Sequence, residues 1–422
     1  MSDLNDCFLH DKDRLRHDDA LAILRQNVPV LTGREPLPID QCLGRVLGQD
    51  LVSQAQVPGH TNAAVDGYAF RHADNSGASL PVRMHITAGE RPKAALASGE
   101  AARIFTGAVM PDGADTVAMQ EDCDAEGNAV RIPQKLRQGA NVRQAGEDVS
   151  IGTRVLAKGQ RLDASALAAA VSVGCAMLEV AKPVRVGLIS TGDELRHPGD
   201  GHGPLQMGQV WDSNTPMLRA LLAPLPVTIA VEASLPDDRE GIQAALADAA
   251  GRCDIILSTG GASRGVEDHM LDCLDALGKR HLWQLAVKPG RPMMMGQIDR
   301  DKATSCLFLG LPGNPVAAMV CFLLYARQCI LQAAGEAWSE PQRFPLQAGF
   351  EVASKKPDRR EFMRGKLIAQ PDGQLSVEKF ARDGSGLISS LTWADGLIEI
   401  PEDVRAIELG DTVSFIPFTS FG

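Results

Sequence analysis

Between Pro183 and Ala333 short apolar runs alternate with capped helical segments, and that alternation leaves few folds open. Val184–Ser190, Val227–Val231, Asp254–Ser258 and Leu307–Leu311 read as buried strands. Helices are expected after Ser213-Asn214 through Leu222, after Asp237-Asp238 through Ala250, from Asp268 to Leu277, and from Pro315 to about Ala333. Buried strands alternating with helices predict a parallel α/β sheet. Ligands of such sheets bind beyond the carboxyl ends of the strands. Three of the strands run into glycine-containing turns there: Thr191-Gly192-Asp193-Glu194, Thr259-Gly260-Gly261 and Pro312-Gly313-Asn314-Pro315.

A chain of 422 residues needs more than this one core. Residues 57–143 carry Gly-rich turns and short alternating runs such as Val82–Ile86 and Asp115–Met119, which predict an inserted, mostly-β domain. Around it, residues 1–56 and 144–181 are expected to form a helical and linker region. Asp18-Asp19 would cap its first helix, and the Ala-rich Val149–Val180 stretch would pack on that helix. The α/β unit takes residues 182–335. Residues 336–422, with short strands such as Phe362–Ala369 and Gly396–Ile400, predict a small C-terminal β domain.

Charge and cysteine usage exclude several classes. A net charge of −11 with no long Lys/Arg run argues against a nucleic-acid partner. The nine cysteines include no CxxC pair, and Cys321 and Cys329 sit in apolar stretches. That pattern suits a reducing, cytoplasmic compartment and neither a disulfide framework nor a structural zinc site. The first residues are too acidic for a signal peptide. No run of about 18 apolar residues is evident, so no membrane span is expected, and Ser165–Leu178 reads as a buried helix. The histidines show no metal-binding spacing, and there is no nucleophile elbow, GxGxxG or Walker A loop.

The remaining candidates point to anion handling. In Ser258–Gly265, Gly260 and Gly261 let backbone N–H groups approach an anion, and Ser263 and Arg264 add donors. A tight strand-to-helix turn would need the same glycines. Lys288 and Arg291 sit on a loop stiffened by Pro289 and Pro292 and suit the oxygens of phosphate or another oxyanion. A solvated basic loop is the alternative. Pro312 and Pro315 shape a third turn, which a helix entry alone would also explain. Asp66, Glu194 and Asp268 are carboxylates able to hold Mg²⁺ on substrate phosphates, although Glu194 and Asp268 also suit helix starts and Asp66 a turn beside Gly67.

Nine segments, in order, resemble the molybdopterin molybdenumtransferase (MoeA) family, to which the E domain of gephyrin is related. They are Asn62–Ala69, Phe105–Ala108, Gly146–Asp148, Ser190–Leu195, Asp212–Asn214, Thr259–Asp268, Lys288–Pro292, Leu311–Pro315 and Arg360–Gly365. The resemblance implies a multidomain protomer of mixed α/β and β structure. Its parts are a central three-layer molybdopterin-binding-like domain, an inserted mostly-β domain, a helical dimerisation region and a small C-terminal β-barrel-like domain. It further implies a homodimer whose cleft joins the α/β domain of one subunit to the inserted domain of the other. Adenylylated molybdopterin and molybdate would be the substrates, Mg²⁺ the cofactor, and molybdenum cofactor and AMP the products. Transient contact with other cofactor-biosynthesis proteins or apo molybdoenzymes would follow.

Residue by residue, the resemblance assigns Asp66, Thr106, Asp148, Glu194, Asp268 and Lys288 to catalysis, with Asp66, Glu194 and Asp268 as metal ligands. It assigns substrate contacts to Gly260, Gly261, Ser263, Arg264, Arg291, Pro312 and Pro315, and to Arg360 and Ser385 from the last domain. The chain departs from the family pattern at Ala63-Ala64-Val65, at Val266, where a carboxylate is usual, and at Gln284, where a cation is frequent. Arg264 stands where it could supply the missing charge. The alternatives are a molybdopterin adenylyltransferase, a nucleotide-hydrolysing enzyme of the same fold, and a non-catalytic scaffold.

Overall fold

A computed structural model describes residues 14–201, 203–260, 269–301, 304–357 and 359–421. At its centre a six-stranded sheet runs in the order Val227–Leu235, Val184–Thr191, Ile255–Thr259, Ser305–Leu311, Met294–Asp299, Gly278–Trp283. The first four strands are parallel, as the alternation requires. The last two are antiparallel, which corrects the expectation of an all-parallel sheet. They form a hairpin-like edge beyond the parallel strands.

Alternate side chains of the central strands feed two separate cores. Val186, Leu188, Ile255, Leu257, Leu307 and Leu309 face the helices Asn214–Leu222 and Pro315–Ala333. Ile189, Ile256, Cys306 and Phe308 face Arg239–Arg252 and Met270–Leu277. A period of two along strands buried on both sides is what a three-layer unit demands. Pro315–Ala333 is long and apolar enough by composition to cross a membrane, contrary to the expectation that no such run exists. It is 89% buried within the protein, as expected of a core helix.

The flanks of the insertion differ from expectation. Arg34–Pro38 pairs with Met177–Ala181, and Leu51–Val52 with Arg154–Leu156, so strands from both sides close one small module. Only Ala164–Ser172 of the Ala-rich stretch is helical, capped by Asp163 Oδ1 accepting from the Ala166 N–H at 2.8 Å. The Gly-rich and β-branched residues around it favour turns and strands. The first helix, His17–Asn27, does not pack on this module. Its Ala20, Leu21 and Leu24 join the core around Pro315–Ala333. Asp18 and Asp19 lie in its first turn and favour the helix dipole, but neither caps it.

The inserted domain is a six-stranded sheet built from Gly67–Phe70, Ser79–Ile86, Ala101–Ile104, Thr116–Met119, Asp124–Glu126 and Ala129–Arg131. The C-terminal strands Arg360–Ala369, Leu375–Lys379, Phe344–Ala348, Thr412–Pro417 and Gly396–Ile400 close into a barrel, because the last pairs back to the first. Val287–Lys288, from the α/β unit, adds to Arg360–Ala369 as a further strand. This pairing fixes the basic loop against the barrel.

His17 joins these parts. Its ring is fully buried, with Nδ1 2.7 Å from the Tyr325 hydroxyl and edge-on contacts to Tyr325 and Phe362. Burial, and then the positive Arg360, lower its pKa to about 3. The folded state therefore holds His17 neutral while the unfolded chain protonates near 6.5, so stability is lost as pH falls below that value. By pH 5 the loss from this group reaches about 2 kcal/mol. Urea unfolding at pH 7 and pH 5 should show this increment in the native protein and its absence in His17→Gln. Equal losses in both proteins would refute the assignment.

Candidate active site

The parallel register sets the three glycine-containing turns side by side, with Ser190 opposite Thr259 and Thr259 opposite Leu311. Together they open a chamber of about 700 Å³. Gly260 has φ +90°, and a Cβ there would lie 2.3 Å from the Thr191 carbonyl oxygen, so the turn demands glycine. Gly313 stacks on it, its own Cβ position 3.6 Å from the Gly260 Cα.

Side chains lash these turns together. Asp212 is buried, and its Oδ1 accepts from the N–H groups of Asn214 and Thr215 at 3.0 Å each, while Oδ2 accepts from the Thr215 hydroxyl at 2.6 Å. The cap of the Asn214–Leu222 helix is thus Asp212, not Ser213 or Asn214. This frees the Asn214 amide, which donates to Thr259 Oγ1 at 2.7 Å and to the Gly313 carbonyl at 2.6 Å. Among the described residues, buried Thr191 Oγ1 and Asn214 Oδ1 have no hydrogen-bond partner, and both residues line the chamber. Uncompensated buried polar atoms are unfavourable, so they mark places for a polar ligand.

A second chamber of about 510 Å³ adjoins the first, sharing Pro292, Pro312 and Asn314. It lies between the basic loop and the barrel and is lined by Arg14, Lys288, Arg291, Arg359 and Arg364, against the carboxylates Glu361 and Asp383. Lys288 Nζ stands 3.3 Å from Glu361 and 3.5 Å from Asp383. Arg359 holds Glu361 at 2.8 Å. Burial raises the affinity of Asp383 for a proton, but Lys379 and Lys288 outweigh it and keep its pKa low. Arg364 is buried; its Nε donates to Ser390 Oγ at 3.0 Å and its Nη2 to the Arg382 and Gly384 carbonyls at 3.4 and 3.3 Å. Burial lowers its pKa, with Asp383 opposing, and no carboxylate is within ion-pair distance among the described residues. A guanidinium placed this way favours an anion.

The sequence candidates fall into four groups. Glu194, Gly260, Pro312 and Pro315 line the first chamber. Lys288, Arg291, Pro312 and Ser385 line the second. Gly261, Ser263, Arg264 and Asp268 lie outside the described residues. Asp66, Thr106, Asp148 and Arg360 line neither chamber. Asp66 Oδ1 accepts from the Thr106 N–H at 2.8 Å and its hydroxyl at 2.7 Å, which holds its pKa below the usual carboxylate range. Asp148 is exposed, its N–H donating to the Val57 carbonyl.

Arg360 is engaged in ion pairs within the protein. It binds Asp18 at 2.8 Å, Glu399 at 3.0 Å and Glu402 at 3.1 Å, and so clamps the first helix to the barrel. Gln284 likewise lines neither chamber. Asp66 and Glu194 do not meet in one chain, and no group of three or more His, Cys, Asp or Glu among the described residues is arranged for a metal. Sequence reasoning missed Arg364, Arg359, Arg14, Asn314 and Asp383. The motif Arg360–Gly365 marked the right strand, but only the barrel's closure shows which of its arginines faces the chamber.

Three family matches cover most of the chain. Residues 15–174 match the MoeA N-terminal region (domain I and II), residues 187–332 a probable molybdopterin binding domain, and residues 347–418 the MoeA C-terminal region (domain IV). A molybdopterin molybdenumtransferase of Haemophilus influenzae is 31% identical over 95% of this chain and 98% of its own length. Another, from Nostoc, is 36% identical over 88% of this chain and 85% of its own. The crystal structure of a molybdopterin biosynthesis moeA protein from Pyrococcus horikoshii superposes with a TM-score of 0.82, at 26% identity, over 96% of this chain and 100% of that one.

Proposed function

The chain belongs to the molybdopterin molybdenumtransferase (MoeA) family, and on that premise we propose that it inserts molybdate into adenylylated molybdopterin and releases AMP, completing the molybdenum cofactor. The observation that carries this reading is the pair of joined chambers, one offering strand-end turns to a phosphate ester and the other offering cations to an oxyanion. The phosphoanhydride lies over the turn at Gly260, whose backbone takes a conformation that only glycine adopts readily. The Thr191 hydroxyl donates to a phosphate oxygen, and Asn214 Oδ1 accepts from a donor group of the substrate, partners both atoms lack in the protein alone. Molybdate enters the second chamber, held by Lys288, Arg291 and Arg364. The shared wall of Pro292, Pro312 and Asn314 brings it to the dithiolene.

Glu194 is exposed on the rim of the first chamber with Asp237 nearby, a hard oxygen set that fits Mg²⁺ bound mainly through substrate phosphates. Bound there, the cation would offset charge as the adenylyl bond breaks. The chain's own contribution is positioning and fixed charge, with no covalent intermediate. Asp66, Thr106 and Asp148 act on the cleft of a partner subunit in a homodimer, which accounts for their absence from both chambers of their own chain. The eight described cysteines are all free, in keeping with a cytoplasmic setting.

The test is reconstitution from purified protein, adenylylated molybdopterin, Mg²⁺ and molybdate, followed through AMP release and activation of an apo molybdoenzyme. Molybdate-dependent AMP release with activation is expected. Pterin binding without either product would leave a scaffold. In the same assay Arg364→Gln should raise the molybdate concentration for half-maximal release by about tenfold or more, from the loss of one charge-assisted contact. Pterin affinity should be unchanged. An unaltered molybdate dependence would take Arg364 out of the oxyanion site.

A further inference from the structure

One wall of the first chamber is apolar and has no use in anion binding. Leu195, Val210 and Trp211 come from two short paired strands, and Ile388 faces them from the barrel domain. Val210, Trp211 and Ile388 are 48%, 41% and 44% exposed. An indole left this open in a concave site keeps a flat apolar face available to a ligand. Neither Val210 nor Trp211 lines the cationic chamber, so this wall serves a part of the substrate away from molybdate.

The backbone beneath Trp211 is fixed on both sides. The Val210 N–H donates to the Glu194 carbonyl and the Asp212 N–H to the Arg196 carbonyl, each at 2.9 Å. The next side chain, Asp212, is buried and spends both oxygens on the helix cap. The chamber's two ends therefore differ in chemistry. One holds phosphate by backbone and hydroxyl groups, and the other presents a rigid aromatic plane. We infer that Trp211 is the stacking platform for a fused bicyclic nitrogen heterocycle of the substrate, and that with Val210 and Ile388 it selects for that ring. The inference rests on the transferase reading, whose substrate carries two such rings, adenine and pterin.

Binding of AMP, 6-hydroxymethylpterin and ribose 5-phosphate to the full-length protein tests it, by calorimetry and by tryptophan fluorescence. Trp211→Ala should weaken binding of AMP or of the pterin by about 5- to 150-fold, the range for loss of one base–aromatic stack. Trp211→Phe should restore most of the affinity. Ribose 5-phosphate should bind all three proteins alike and leave fluorescence unquenched. An effect confined to AMP identifies adenine as the stacked ring, and one confined to the pterin identifies the pterin. In turnover, Trp211→Ala should raise KM for adenylylated molybdopterin with little change in kcat. Unchanged affinity for both rings in Trp211→Ala would overturn the stacking role while molybdate-dependent AMP release by the native protein still stands. Failure of the native protein to bind either ring or to release AMP would overturn both readings.

Discussion

Gly260→Ala is expected to abolish cofactor formation, with a loss of at least a hundredfold, and to lower the melting temperature. Two independent effects act at this one atom. The backbone sits at φ +90°, which a side chain tolerates at a cost of about 1–3 kcal/mol. The new Cβ would also lie 2.3 Å from a main-chain oxygen of the adjoining strand, Thr191, and 3.0 Å from its hydroxyl. Neither neighbour is the end of a flexible chain, so the turn itself must move. Its movement breaks the stacking of Gly313 on Gly260 and the Asn214 bridge to Thr259 and Gly313. Gly313→Ala is the matched control, since its Cβ would make only an ordinary 3.6 Å contact with the Gly260 Cα. The paired measurement is AMP release and thermal unfolding of both variants. Full activity in Gly260→Ala would remove this turn from the site, whereas losses of equal size in both variants would mean that the chamber merely resents added bulk.

How much of this was legible beforehand depends on the range of the interactions involved. The parallel core was readable because strands buried at every position are mostly apolar, as in Ile255–Thr259 and Ser305–Leu311. The strand-end turns followed from the same pattern, and so did the cap by Asp238. The antiparallel edge was not readable. Gly278–Trp283 carries Lys279, Arg280 and His281, and its strand character comes from pairing with Met294–Asp299 rather than from local apolarity. The first helix was legible as a helix, but its partner was not, because His17 meets Tyr325 and Phe362 across more than three hundred positions. The same limit applies to the site. Arg359, Arg360 and Arg364 are equivalent as letters, yet Asp18, Glu399 and Glu402 claim one of them and Glu361 another, while Arg364 bonds to Ser390 and two carbonyls and has no carboxylate partner among the described residues.

Asp66→Ala and Lys288→Ala, each made alone, should reduce turnover at least a hundredfold, and co-expression of the two should restore about a quarter of native activity. Neither change threatens the fold. Among the described residues the Asp66 side chain is bonded only to Thr106 on the inserted domain. Loss of Lys288 leaves Glu361 still held by Arg359 at 2.8 Å. Within one chain, Asp66 lines neither chamber while Lys288 lines the cationic one. If each cleft joins the α/β domain of one subunit to the inserted domain of the other, a hybrid dimer of the two variants contains one wholly native cleft and one doubly altered cleft. Random pairing makes about half of the dimers hybrid, each with one of its two clefts working, and so recovers about one quarter. Isolation of the hybrid through two different tags should raise the figure to about half. Recovery in the hybrid assigns Asp66 to the partner's chemistry and makes the dimer obligatory for catalysis. A hybrid no more active than its parents would place both residues in a cleft built from a single chain, which the separation of Asp66 from both chambers argues against.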